Sequence, residues 1–300
     1  MTLSNLRRVL SVALSGAVVA VAVTACGSSD SSSSTSGSTD AVKITKDDAA
    51  AAMVPAAFKG KTIVVASDAT YPPMETLASD NKTVVGADAD LAKAIADTLG
   101  VKVSVQNATF DGILAGIKAG KYDLGMSSFT DNKEREQEVD FVTYLSAGSS
   151  FFTPKGKATV KTQSDLCGLR VAVEKGTVQQ KEGQDEAKKC PADKKLDLMV
   201  FPDQNGANLA LTSGRADVGI ADTPVAANIV NKSGGKLEMS GDSYNSAPYG
   251  IALPKGSGLD KPIQAALKAL IASGAYKQIL DRWGVGQGAI TDPQINGAQS

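Results

Sequence analysis

No histidine occurs anywhere in the chain, which removes the commonest general base, the commonest metal ligand and the usual pH switch together. Ser–His–Asp and Cys–His catalysis are thereby excluded, and a zinc site would have to be all thiolate. Three cysteines are too few for that once Cys26 has another use. Gly284-x-Gly286-x-Gly288 follows no strand and opens no βαβ unit, so it reads as a tail loop and not a nucleotide cradle. Asp88-x-Asp90 lacks the third acid, the glycine and the distal glutamate of a calcium loop, and Asp88 reads as a helix cap. The more informative piece is Val173-Glu174-Lys175-Gly176-Thr177-Val178. A strand passing through glycine into a helix start leaves backbone N–H groups unpaired and forms an anion seat, although any such turn shares this outline. A net charge of −1 without a basic stripe offers no field for nucleic acid. No metal and no cofactor is expected.

The elements that must carry such a site begin after an address. Arg7 and Arg8 precede an uncharged apolar run, Val9 to Val23, too short to cross a bilayer and suited to a signal peptide over residues 1–25. The run ends in Val23-Thr24-Ala25-Cys26, which resembles the bacterial lipoprotein box and implies that Cys26 is lipidated and becomes the new N-terminus. Two or more acyl chains anchor stably where one does not. Gly27–Asp40 is almost wholly Ser, Gly, Thr and Asp, a composition that buries no apolar area and behaves as a tether. Residues 26–60 are therefore expected to be anchor and tether, on the extracytoplasmic face of the membrane. Outside the cell, Cys167 and Cys190 are most simply a disulfide worth about 3 kcal/mol, with two buried thiols as the alternative.

From Lys61 onward short strands alternate with helices. Thr62–Ala66 is β-branched and apolar; Leu91, Ile95 and Leu99 repeat at spacing four within Asp88–Leu99, and Gly100 is a stop signal. Val101, Val103 and Val105 alternate as in a half-wet strand, and Ile113, Leu114 and Ile117 share a face of Phe110–Ala119. A strand over Tyr122–Met126 and a short charged helix over Asp131–Glu138 complete the first unit. The order then repeats through Leu169–Val173, Gln179–Lys189, Asp197–Phe201, Gly206–Ser213, Asp217–Ile220 and Pro224–Asn231. Two α/β units imply two lobes, and Ser149–Thr153 and Tyr249–Leu253 are the expected crossing strands. The expected division is 61–148 for the first part of lobe 1, 149–248 for hinge and lobe 2, and 249–300 for the return with C-terminal helices.

At Tyr122–Phe141 the stretch YDLGMSSFTDNKEREQEVDF resembles the signature of the family 3 solute-binding proteins. These are polar amino-acid receptors of ABC importers with the type II periplasmic-binding-protein fold. SDATYPPME, VGADADLAKAIADTLGV, FDGILAGIKAGKYD, GLRVAVEKGT, SGRADVGIADTPVAA and YGIALPKG fall in order around it, between residues 67 and 256. The resemblance implies an amino acid held between two lobes. A zwitterion entering a dry cleft needs both charges paired, because burying either alone is costly. By resemblance Arg135 grips the α-carboxylate as a planar fork, Ser128 and Thr130 add backbone and hydroxyl contacts, and the turn at Thr177 brings helix-start N–H groups. Asp222 pairs with the α-ammonium, while Asp68 and Tyr71 line the side-chain end with Phe110 as a wall. The implied partner is an ABC permease, reached by a monomer tethered through its lipid.

The sequence departs from the family pattern at Met74 and Ala87, where aromatics are usual, and at Asn132. A smaller, softer pocket edge is the expected consequence. Glu174 either meets a cationic side chain or faces water. The rival reading is a cyclohexadienyl-dehydratase-like enzyme on the same scaffold, using Glu174 or Glu75 as a buried acid; a sensor touching a receptor is a third.

Overall fold

In chain order the secondary structure runs α1 Asp48–Ala52, β1 Thr62–Ser67, β2 Thr70–Tyr71, β3 Glu75–Leu77, β4 Val84–Val85, α2 Ala87–Leu99, β5 Lys102–Asn107 and α3 Phe110–Lys118. It continues with β6 Leu124–Gly125, α4 Lys133–Glu136, β7 Asp140–Pro154, β8 Arg170–Glu174, α5 Val178–Ala187, β9 Asp197–Phe201 and α6 Gln204–Thr212. The last elements are β10 Val218–Asp222, α7 Thr223–Lys232, β11 Leu237–Leu253, α8 Asp260–Ala272 and α9 Ala275–Arg282. The computed structural model describes residues 42–157 and 159–299. The signal segment, Cys26 and the Ser/Gly tract to residue 41 lie outside them.

Eight strands form one sheet in the order β5-β1-β6-β11-β7-β10-β8-β9, and β2-β3-β4 form a small second sheet. Strand β1 lies parallel to β5 and β6, and β8 lies parallel to β9 and β10. These two parallel halves are the cores of the two lobes, each covered by helices as parallel sheets require. The long antiparallel pair β7 and β11 belongs to both lobes: Asp140–Ala147 pairs with Ala247–Leu253, and Ser149–Pro154 with Leu237–Tyr244. The crossing strands are thus far longer than their apolar centres suggested. Register shifts between Ser240 and Tyr244 and between Tyr244 and Ala247 mark the crossover, where the ladder breaks and the strands can bend.

Helix α2 shows how the pattern becomes structure. Leu91, Ile95 and Leu99 are buried as the spacing predicts, each contributing about 1.5–3 kcal/mol. Gly100 ends the helix with φ 64°, in the left-handed conformation that glycine adopts at no steric cost. Helices α8 and α9 bury Ile263, Leu267 and Leu270, and Tyr276, Ile279 and Leu280. The chain beyond them lies along β7: Thr143 N–H donates to the Gln294 carbonyl and Asn296 N–H to that of Phe141.

Two expectations change. The tether was expected to run to residue 60, yet residues 42–60 pack on the first lobe. Asp47 caps α1 by accepting from Ala50 N–H at 2.9 Å, and Ala50 and Val54 are buried in the core. Asp88 is not a cap: Gly86 holds that position, and Asp88 turns inward, fully buried. Cys167 and Cys190 are bonded, with Cα atoms 5.4 Å apart, stapling β8 and α5 together. No helix among the described residues is long and apolar enough to cross a membrane. Nor does any group of three acidic or cysteine side chains among them suit a metal.

Candidate functional site

The strand ends and helix starts of both lobes converge on a narrow cleft with about 290 Å³ of space between its atoms, part of it open to solvent. It is lined by Asp68, Tyr71, Phe110, Ser128, Thr130, Arg135, Thr177 and Asp222, the eight residues singled out as ligand contacts. Glu174, Ser127, Val178 and Gln179 complete it.

Arg135 stands on the short helix α4. Asn132 caps that helix by accepting from Arg135 N–H at 2.9 Å. The guanidinium lies 5.6 Å and 5.4 Å from the ring centres of Phe110 and Phe129, which stack on each other at 4.5 Å. The aromatic pair thereby fixes the plane of the fork by cation–π attraction. Nη1 donates to the Thr130 carbonyl at 2.9 Å and Nη2 crosses to the Gly176 carbonyl in the other lobe at 3.0 Å. Desolvation pulls its pKa down to about 10, so it stays charged at neutral pH.

Asp222 ends β10 in the second lobe. Its Oδ1 accepts from Gln179 Nε2 at 2.8 Å and its Oδ2 from the Tyr71 hydroxyl at 3.0 Å. Asp222 N–H returns a bond to the Tyr71 oxygen, also at 3.0 Å. Tyr71, expected at the side-chain end, thus has its hydroxyl at the Asp222 end and ties lobe to lobe. Burial pushes the Asp222 carboxyl up to about 6; the nearby Tyr249 hydroxyl, the hydrogen bonds from Tyr71 and Gln179 and the charge of Arg135 oppose the rise.

Asp68 accepts from Thr70 N–H at 3.1 Å, Thr70 Oγ1 at 2.7 Å and Phe110 N–H at 2.8 Å. The last bond pins the start of α3, where an acid also suits the helix dipole. Its pKa is raised, chiefly by burial. Glu174 does not face water. It is 3 % exposed, and its Oε1 has no partner. Burial first, then the charges of Asp68, Asp203, Asp222 and Asp111, hold its carboxyl well above the usual range. Beyond Glu174, the Thr177 hydroxyl caps α5 by accepting from Gln180 N–H at 3.1 Å. Helix α5 therefore opens onto the cavity with the N–H groups of its first turn, which suits a carboxylate.

Three sequence-based expectations look different in place. The Ser128 N–H donates to Asp88 Oδ2 at 2.8 Å and is already engaged. Met74 and Ala87 are fully buried in the first lobe's core and do not line the cavity, so these departures leave the pocket edge unchanged. Gln179 and Phe129 were not singled out; only their positions beside Thr177 and Thr130 hinted at them.

Residues 63–286 match the family model for bacterial extracellular solute-binding proteins, family 3. The arginine-binding protein ArgT of Corynebacterium glutamicum is 35% identical over 249 residues, covering 82% of each chain. An ancestral arginine-binding protein bound to arginine superposes with a TM-score of 0.70 at 34% identity, over 76% of this chain and 99% of its own. An ancestral amino acid-binding protein described as a precursor of cyclohexadienyl dehydratase gives a TM-score of 0.67 at 31% identity, over 74% and 95%. That likeness is to a binding protein, and the curated relatives are binding proteins too, so the dehydratase reading is set aside. The chain belongs to the bacterial extracellular solute-binding proteins, family 3, and its curated relatives are binding proteins and not enzymes.

Proposed function

We propose that the protein captures a cationic amino acid, arginine first, and delivers it to an ABC importer while anchored to the membrane through lipidated Cys26. The observation that carries the choice of cargo is the buried Glu174 carboxyl beside Asp68, whose Oε1 has no hydrogen-bond partner. Arg135 and Asp222 between them answer the two charges common to every amino acid. That leaves two further acids in one dry cavity, and a guanidinium is the planar, always-charged group that satisfies carboxylates in pairs. A neutral side chain would leave Glu174 Oε1 without a counter-charge, and its carboxyl would have to keep a proton; a cation lets it ionise. The arginine-binding relatives support the same reading.

The test is a thermal shift of the purified protein, unfolded and refolded to strip carried ligand, against arginine, lysine, glutamine and cystine. At a thousandfold its Kd a ligand adds about 4 kcal/mol, roughly 8–16 °C in a domain of this size. Arginine is expected to give the largest rise. Glu174→Gln should weaken arginine about tenfold and leave glutamine nearly unchanged. A larger rise with glutamine or cystine than with arginine would overturn the cargo.

Capture is expected to need the lobes as close as they stand here. Lys175 Nζ reaches Asp111 across the cleft at 2.7 Å, and Gln204 N–H reaches Thr70 Oγ1 at 3.3 Å. A Cβ on Gly176, whose φ is +81°, would lie 3.0 Å from the Asp111 Cβ and 3.1 Å from its Cα. Gly176→Ala should therefore hold the lobes apart and lower affinity about tenfold, a loss of about 1.4 kcal/mol. Calorimetry with arginine would show it; unchanged affinity would mean that the bound state is more open.

A further inference from the structure

Behind the Ser127–Ser128 turn lie two carboxyl groups that no ligand contact accounts for. Glu75 on β3 and Asp88 on α2 are both 0% exposed. Asp88 is rich in donors: the Tyr144 hydroxyl reaches Oδ1 at 2.8 Å, Ser128 N–H reaches Oδ2 at 2.8 Å, and Ser128 Oγ stands 3.4 Å from Oδ2. Glu75 has one donor, the Ser127 hydroxyl on Oε1 at 2.8 Å, and that hydroxyl oxygen accepts from Asp68 N–H at 2.9 Å. Glu75 Oε2 is buried without any donor. The charged groups that act on Glu75 are Asp88 and Asp68, both acids.

Two adjacent carboxylates without a cation cannot both be ionised in a dry interior. Asp88, with three donors, is the better anion, and Glu75 is left as the acid whose proton faces Asp88. We infer that Glu75 and Asp88 share a single proton and act as positioning residues for the ligand loop. Their task is to hold the Ser127–Ser128 turn, and through it Thr130 and Arg135, in place. The turn needs such support because Ser128 sits at φ 51°, a left-handed conformation uncommon for a residue with a Cβ. The bond from its N–H to Asp88 is what selects that conformation. Two residues later the Thr130 carbonyl receives Arg135 Nη1. Burial holds Glu75 well above the ordinary carboxylate range, in keeping with the retained proton.

The experiment compares the unaltered protein with Glu75→Gln, Asp88→Asn and Asp88→Asn/Ser128→Gly. Infrared difference spectra near pH 8 should show a carboxylic-acid carbonyl band in the unaltered protein that Glu75→Gln lacks. Identical spectra would rule out the shared proton. By calorimetry with L-arginine, Glu75→Gln, which keeps a hydrogen-bond donor, should bind within about threefold of the unaltered protein, and Asp88→Asn at least about tenfold more weakly. Adding Ser128→Gly should recover part of that loss, because glycine takes a positive φ unaided; a merely structural Asp88 predicts no recovery. Wild-type affinity in Asp88→Asn, or loss without rescue, would overturn the positioning role. If Asp88→Asn does not fold, recovery of a melting transition by Ser128→Gly is the readout. If L-arginine does not bind the unaltered protein, the cargo reading fails on its own. The band and the melting-temperature rescue then decide here. Because the fold keeps this proton and the unfolded chain releases it in the ordinary carboxylate range, the melting temperature should fall more steeply with rising pH above that range in the unaltered protein than in Glu75→Gln.

Discussion

Arg135→Ala is expected to lower amino-acid affinity by at least about a hundredfold. Its guanidinium is the only cation lining a cavity that holds Asp68, Glu174 and Asp222 among the described residues. An α-carboxylate entering that cavity without it would meet three acids and no counter-charge. Breaking a buried ion pair by removing one partner costs about 3–5 kcal/mol, roughly 150- to 5,000-fold in Kd. The loss has a second source. Nη2 already bonds the Gly176 carbonyl across the cleft at 3.0 Å, so the same side chain favours the closed arrangement that a ligand selects. Arg135→Lys should fall between: the charge survives, but the fork and its stacking on Phe110 and Phe129 do not. Calorimetry across the three proteins, with melting temperatures as a check on folding, reads the ranking. Equal affinity for Arg135→Ala and the unaltered protein would mean that the carboxylate sits elsewhere.

What could be read in the sequence follows from how local each signal is. Helix α2, its glycine stop and the strands around it rest on spacing within a few residues, and they fold where the spacing put them. The two lobes were legible for the same reason, as one α/β order repeated. The crossing strands were seen only at their apolar centres. The rest of β11, from Met239 to Asn245, is largely exposed or half-buried and reads as loop until β7 pairs with it. The tether's end was misplaced because Ala50 and Val54 join a core supplied by residues far along the chain, which no local pattern announces.

At the site, what escaped was decided across the cleft. Glu174 stayed ambiguous because its environment is made of residues from both lobes: Asp68 and Asp111 on one side, Asp203 and Asp222 on the other. Nothing within ten residues of Glu174 says whether the opposite lobe will close over it. Asp88 misled in the opposite way. An acid at the start of a helix usually caps it, and only the placement of Gly86 at the cap, with φ 140°, sends the carboxylate inward to Ser128 and Tyr144. Met74 and Ala87 stood next to motif residues in sequence and were read as pocket edge; their side chains point into the core instead.

Asp222→Asn should cost about 2–5 kcal/mol of binding, roughly 30- to 5,000-fold, and should change the pH dependence as well as the affinity. The substitution keeps the shape and an oxygen for Gln179 Nε2, so the fold should survive while the charge that answers the α-ammonium is lost. In the unaltered protein the carboxyl titrates at about 6, raised from 3.8 mainly by burial. The sign follows from which state holds the proton. Between about pH 4 and pH 6 the folded chain keeps a proton that the unfolded chain has released, so ligand-free stability falls as pH rises through that window. Ligand reverses the preference, because an ammonium beside the carboxyl favours its anion. The Asp222 contribution to arginine affinity should therefore be flat above about pH 7 and fall about tenfold per unit below about pH 6. In Asp222→Asn the share of both trends that Asp222 contributes should vanish, leaving weaker binding with a shallower loss on the acid side. Calorimetry from about pH 5 to pH 8 on the two proteins separates the cases. If the acid-side loss persists undiminished in Asp222→Asn, the titrating group is Asp68 or Glu174 at the far end of the cavity, and Asp222 is then a link between the lobes, holding Tyr71 and Gln179, and not the seat of the ammonium.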